Sequence, residues 1–216
     1  MGSIMNQFIE LCVEKRDKFS SLLAGYSMRG ILHSEMLLFV THLDYFGIEH
    51  VIESGRAEGQ STKIIAKWIS NKTRFDSIDI EKEKKDYSQY NVNIHQGNSI
   101  STIPKLLSNK KTAILIDGPK GEKALELAKK LLKHKNIAFV ALHDFHKDTY
   151  VRNEAEKLGM HSSASDDFLF VERFHDLDAE CWSVIYKKNK WLPYDRNGQK
   201  MTSYGPTLLF LYNEIH

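Results

Sequence analysis

From Ile48 onward the chain alternates short, β-branched apolar runs with stretches of helical period, and this alternation constrains the fold more than any other feature. The spacing predicts strands at 48–53, 75–80, 92–96, 112–117 and 137–143, separated by helices near 60–70, 100–108, 121–134 and 147–158. Strands joined through helices cannot pair as hairpins, so the pattern implies a parallel sheet covered by helices on both faces. Before it, Phe8, Leu11, Cys12 and Phe19, then Ile31, Met36, Leu37 and Val40, recur at helical spacing, with a break around Gly25 to Gly30. Two helices are therefore expected ahead of the sheet.

After Gly159 the helical texture stops. Phe168–Phe174, Trp182–Tyr186 and Thr207–Tyr212 read as strands joined by loops, including the turn-rich Pro193–Gly198 stretch, which implies an antiparallel finish to the sheet. The aromatic residues Trp182, Tyr186, Trp191, Tyr194 and Tyr204 fit hairpin packing better than an acceptor pocket. The expected whole is one domain over 1–216, with a helical segment over 1–46 and an α/β core over 47–216, and 216 residues suffice to bury such a core.

Charge narrows the function. Thirty Lys and Arg against 28 Asp and Glu leave a formal charge of +2, too little for a broad phosphate-tracking surface, so no nucleic-acid partner is expected. No apolar run approaches the roughly 18 residues that cross a bilayer, and no secretory leader is evident, so a soluble, cytoplasmic protein without a membrane partner is expected. Cys12 and Cys181 match no disulfide or zinc spacing, which suits the same reducing compartment.

The most informative stretch runs from Val51 through Glu53, Ser54, Gly55, Arg56, Ala57, Glu58, Gly59 and Gln60 to Ser61 and Thr62, passing from a strand into a helix. Glycines there let backbone approach a ligand, and the helix start offers free N–H groups. The next strand ends at Asp79, followed by Ile80, where an acid can accept hydrogen bonds from both hydroxyls of a ribose. Ala57 and Gln60 stand where a dinucleotide fingerprint starting at Gly55 would need glycines, which disfavours a pyrophosphate cradle.

This stretch resembles motif I of class I S-adenosylmethionine-dependent methyltransferases. The resemblance covers roughly residues 48–145 and implies a Rossmann-like, doubly wound, mostly parallel seven-stranded sheet with an antiparallel C-terminal hairpin. It implies that Glu53, Gly55, Gly59 and Ser61 face the methionine end of S-adenosylmethionine, that Asp79 with Ile80 takes the ribose, and that Asn98 and Ser99 flank the adenine. An acid often stands in the family where Asn98 does here, and Asn can still bond a base amino group.

Two further strand tips carry chemistry: Asp117, Gly118, Pro119 and Lys120, and then His143, Asp144, Phe145 and His146. The Asp117-x-x-Lys120 spacing resembles catechol and caffeoyl-coenzyme A O-methyltransferases, in which such an aspartate binds a divalent cation and the lysine acts as base. That resemblance implies Asp117 and Asp144 as ligands for Mg²⁺ or another divalent cation, with Asp117 also beside the cofactor. Phe145 stands where those enzymes carry Asn, so His143 or water must complete the shell. The pairing of His143 with Asp144 is closer to a group resembling cephalosporin hydroxylase and sugar O-methyltransferases. Lys120, Asp117, His143 and His146 are thus the catalytic candidates, in an O-methyltransferase acting on a small-molecule or carbohydrate acceptor. A non-catalytic nucleoside-binding relative and a nicotinamide oxidoreductase are the alternatives, and a homodimer is compatible with the sequence.

Overall fold

The computed structural model describes residues 4–24, 30–158, 161–178 and 208–213. Two helices, α1 (Ile4–Ser20) and α2 (His33–Tyr45), precede the α/β alternation of β1 (His50–Ser54), α3 (Gln60–Trp68), β2 (Arg74–Asp79), β3 (Asn93–Gln96), α4 (Ser99–Leu106), β4 (Thr112–Ile116), α5 (Glu122–Leu131), β5 (Ile137–Leu142) and α6 (Tyr150–Glu156). Then come β6 (Ser162–Ala164), α7 (Phe168–Phe174), a 3₁₀ turn at His175–Asp178, and β7 (Leu209–Tyr212). All five expected parallel strands and the four helices among them are present, with ends shifted by a few residues.

The sheet order is β3-β2-β1-β4-β5-β7-β6. Strands β1 to β5 are parallel, while β7 runs antiparallel to both β5 and β6. The order reverses at β1, which lies between β2 and β4, and this switch point opens a crevice at the carboxyl ends of those strands. Every residue of β1 and β4 is buried, as expected for strands covered on both faces.

One face of the sheet packs under α1, α2, α3 and α7 around Phe8, Phe39, Phe139, Phe170 and Phe210, and the other packs under α4, α5 and α6 around Ile52, Ile78, Ile114 and Leu125. Helix α2 is almost entirely enclosed from His33 to Leu43. Its His42 ring stacks between Phe8 (centroids 3.7 Å apart) and Phe210 (4.0 Å), and its nitrogens meet the Leu38 carbonyl and Tyr212 Oη, both at 2.7 Å. Burial with no acid beside it pushes this imidazole down to about 3, so it is a neutral packing element.

One expected strand is a helix. Phe168–Phe174 forms α7, because Asp167 caps its start by accepting from the Leu169 and Phe170 amides at 3.0 and 3.2 Å. Phe170 and Phe174, four residues apart, enter the core while Phe168 and Leu169 stay exposed, a helical rather than an alternating division. The strand after Gly159 is instead the short Ser162–Ala164, with no apolar alternation of its own and held by pairing to β7. The expected strand at Trp182–Tyr186, the Pro193–Gly198 turn and the tail aromatics Trp182, Tyr186, Trp191, Tyr194 and Tyr204 lie outside the described residues, as does Cys181. Cys12 is a buried free thiol, and among the described residues no helix is long and apolar enough to cross a membrane.

Candidate functional site

The turn after β1 is built by two glycines. Gly55 has φ +89°, and a Cβ there would lie 2.6 Å from the Gly118 amide nitrogen, so the loop can pack against the tip of β4 only without a side chain. Gly59, at φ +68°, caps the start of α3 in the left-handed region. Between them the Ala57 amide donates to Asp79 Oδ2 at 2.8 Å, and the Glu81 amide donates to Oδ1 at 2.9 Å. Asp79 therefore ties the glycine loop to the end of β2, and it also lines a cleft.

That cleft measures about 600 Å³ and is lined by Gly55, Ala57, Asp79, Ile80, Asn98, Ser99, Gly118 and Pro119, among others. The predicted residues Gly55, Asp79, Ile80, Asn98 and Ser99 thus share one cavity at the switch point. Ile80 is 71% exposed, an apolar surface open to whatever enters. Asn98 caps α4 by accepting from the Ile100 amide at 2.9 Å, and Ser99 Oγ lies 2.5 Å from Ser54 Oγ.

Glu53 and Ser61 stand apart from this wall. Glu53 is fully buried and receives three hydroxyls, from Ser61 and Thr62 at 2.5 Å and from Ser77 at 2.6 Å. Burial raises its pKa in spite of those bonds. It braces the loop from behind, fastening β1 to the start of α3 and to β2. Arg56, which composition alone would place on the surface, is also buried; it donates to Glu83 Oε2 at 2.5 Å and to the Ser77 carbonyl at 2.9 Å.

The tips of β4 and β5 bring together the other predicted group. Lys120 Nζ donates to Asp117 Oδ1 and, at 2.5 Å, to Asp144 Oδ2, and lies 3.3 Å from His143 Nδ1. His143 Nδ1 also bonds Asp117 Oδ1. Asp117, His143 and Asp144 each offer a ligand atom, and these lie within 4.8 Å of one another. Asp144 adopts φ +63°, a left-handed turn that swings its carboxylate back toward Asp117. The next residue, Phe145, is wholly buried in the core, and its phenyl ring offers no ligand atom. His146 is not in the cluster: its carbonyl accepts from Thr149 Oγ1 at 2.7 Å and closes the turn before α6.

The charged groups of the cluster act on one another. Burial works against ionising Asp117, yet His143 and Lys120 hold its pKa below the usual range. Burial likewise opposes charge on His143, but the bond to Asp117 raises its pKa. Burial lowers that of Lys120, and Asp117 and Asp144 more than reverse this.

Glu35, which the sequence reading did not single out, completes the rear of the site. Its carboxylate, fully enclosed at the first turn of α2, accepts from the Leu32 amide at 3.0 Å and Ser165 Oγ at 2.8 Å, and lies 3.9 Å from His143 Nε2. Burial drives its pKa up to about 7. Only its place three residues after the helix cap, where a Glu can close a capping box, distinguishes it in the sequence.

No protein-family profile matches the chain, and no curated protein does. Among solved structures it is similar to a protein of Klebsiella pneumoniae provisionally assigned as an O-methyltransferase, at 11% identity over 99% of this chain and 91% of that one, with a TM-score of 0.51. It is also similar to cofactor-bound Rv0187 from MTB, at 12% identity over 97% and 91% of the two chains, with a TM-score of 0.50. Likeness at this identity carries architecture rather than chemistry. Together with the strand order, it shows that this chain has the Rossmann-like, seven-stranded methyltransferase fold.

Proposed function

We propose that the chain is an S-adenosylmethionine-dependent methyltransferase acting on a hydroxyl of a small-molecule acceptor, with a glycan unit within that class. The observation that carries this reading is the cleft of about 600 Å³ at the switch point, lined by both Asp79 and the turn opened by Gly55. That volume suits a nucleoside-sized ligand. An O-methyltransferase assignment for the Klebsiella protein of like fold agrees with it.

In this reading Asp79 holds the ribose hydroxyls, Ile80 lies against the base, Asn98 and Ser99 border its edge, and Gly55 lets the backbone approach the methionine portion. Glu53 and Ser61 act through the loop they brace. Bound there, S-adenosylmethionine supplies a sulfonium methyl group for in-line transfer. The acceptor hydroxyl must then lie over the tips of β4 and β5, where its proton passes to Lys120 once that ammonium has released its own to solvent, while His143, bonded to Asp117, keeps Asp117 oriented. His146, whose carbonyl closes the turn before α6, takes no part in this reading.

Two carboxylate oxygens and one imidazole nitrogen converging on a single point also fit a divalent cation. Asp117, Asp144 and His143 would hold it, and it would supply acidification of an acceptor hydroxyl. The deciding measurement is calorimetry of the full chain with S-adenosylhomocysteine and with NAD. Binding of the first and not the second is expected; the reverse preference would remove this reading.

A further inference from the structure

The position on which Asp117, Asp144 and His143 converge already holds a cation, the protein's own. Lys120 Nζ lies within hydrogen-bonding reach of an atom on each: Asp117 Oδ1, Asp144 Oδ2 at 2.5 Å and His143 Nδ1 at 3.3 Å. A small divalent ion takes oxygen ligands at about 2.0–2.6 Å and would need the same carboxylate oxygens and the same place beside His143 Nδ1. An ammonium nitrogen and a divalent ion cannot share that point, because they would overlap and because their charges repel. Lys120 can leave it: its side chain is 48% exposed and sits on a four-carbon stem.

We propose that Lys120 and a divalent cation are mutually exclusive occupants of this site, so that cation entry expels the lysine into the acceptor space. Lys120 is then a built-in competitor that weakens cation binding. The proposal rests on the cation-binding part of the functional reading above, but not on the identity of the nucleoside or of the acceptor. It also connects the two roles assigned to the site, since the cation that activates a hydroxyl would part the ammonium from its two carboxylates, after which it can release a proton to solvent and, as the amine, receive that of the hydroxyl.

The test is Mn²⁺ binding to the 216-residue chain, followed by electron paramagnetic resonance of the free ion. Lys120→Ala should bind Mn²⁺ at least ten-fold more tightly than wild type, and Asp144→Asn placed in that background should return the affinity to wild type or below. Equal or weaker binding by Lys120→Ala, or no binding by either protein, would overturn the proposal. Lys120→Met, which keeps most of the stem, replaces the alanine variant if that one fails to fold. An independent measurement uses unmutated protein: Mn²⁺ should accelerate acetylation of Lys120, read by peptide mass spectrometry, while slower or unchanged labelling would count against expulsion. Calorimetry with S-adenosylhomocysteine is run in parallel. Its failure alone would remove the nucleoside reading and leave the lysine–cation competition standing.

Discussion

The sheet carries an imidazole–carboxylate cluster toward each end, and the two are wired in opposite senses. In the amino half, the single carboxylate of Asp76 is surrounded by donors: His50 Nε2 at 2.7 Å, His95 Nε2 at 2.8 Å, Arg74 Nε at 2.6 Å and Asn93 Nδ2 at 3.1 Å. At the carboxyl edge, two carboxylates and an imidazole surround one ammonium, which is half exposed. The first arrangement saturates a buried acid and leaves it nothing further to bind. The second leaves acceptor atoms facing one point reachable from solvent, which is what a cation or a substrate proton needs. The same residue types therefore make a structural network in one place and a candidate site in the other, depending on whether donors or acceptors converge and on whether the sheet opens there.

The comparison breaks most readily at Asp76. Asp76→Ala would leave four donors facing an empty, buried position, and we expect a loss of about 3–5 kcal/mol in denaturant unfolding. A loss within error would mean the network is not structural.

The two ends should also answer pH with opposite signs. Burial favours the neutral acid at Asp76, but bonds from His50, His95 and Arg74 outweigh it and hold the pKa well below the ordinary 3.8. That contribution is present above the ordinary value and is lost as pH falls toward the folded-state pKa. Glu35, behind the carboxyl edge, shifts the other way, from 4.5 to about 7. Its contribution is complete below pH 4.5 and disappears as pH rises through about 7, a change on the order of 3 kcal/mol. Urea midpoints across pH should show the alkaline-side loss diminished in Glu35→Gln and the acid-side loss diminished in Asp76→Asn. Identical profiles in all three proteins would refute both assignments.

Smaller effects sharpen the contrast. Asp79→Ala should weaken S-adenosylhomocysteine binding by about 1–3 kcal/mol in calorimetry through lost hydrogen bonds to the ribose; unchanged affinity would show that the sugar lies elsewhere. Asp144→Asn should change stability by less than about 1 kcal/mol in the same urea assay, since the exposed ion pair contributes little and Asn tolerates the left-handed turn. A large loss there would make the carboxyl-edge cluster structural after all.

Much of this molecule was legible in the chain. β1, β2, β4 and β5 are apolar runs that end at an acid or polar residue, and helices of clear period separate them, so their order and parallel sense follow from local pattern. The glycine loop, Asp79, Asp117, Lys120, His143 and Asp144 could be found because each follows a strand end. Helix α7 could not, since the aromatic run Phe168–Phe174 suits either period and only the cap at Asp167 selects one. Glu35 was equally hidden: its partners Ser165 and His143 lie more than a hundred residues away in the chain and meet it only because α2 packs over the β5 and β6 tips.

Sequence alone determined the kinds of element, their order and the inventory of ionisable groups at the strand ends, because turn chemistry and hydrophobic period are properties of neighbouring residues. Which of those groups stay free was decided by tertiary structure. Glu53 is closed by hydroxyls from α3 and β2, Asp76 by residues of three strands, and Phe145 is buried in the core. Burial and hydrogen-bond closure depend on register and packing between distant segments, and no local pattern encodes them.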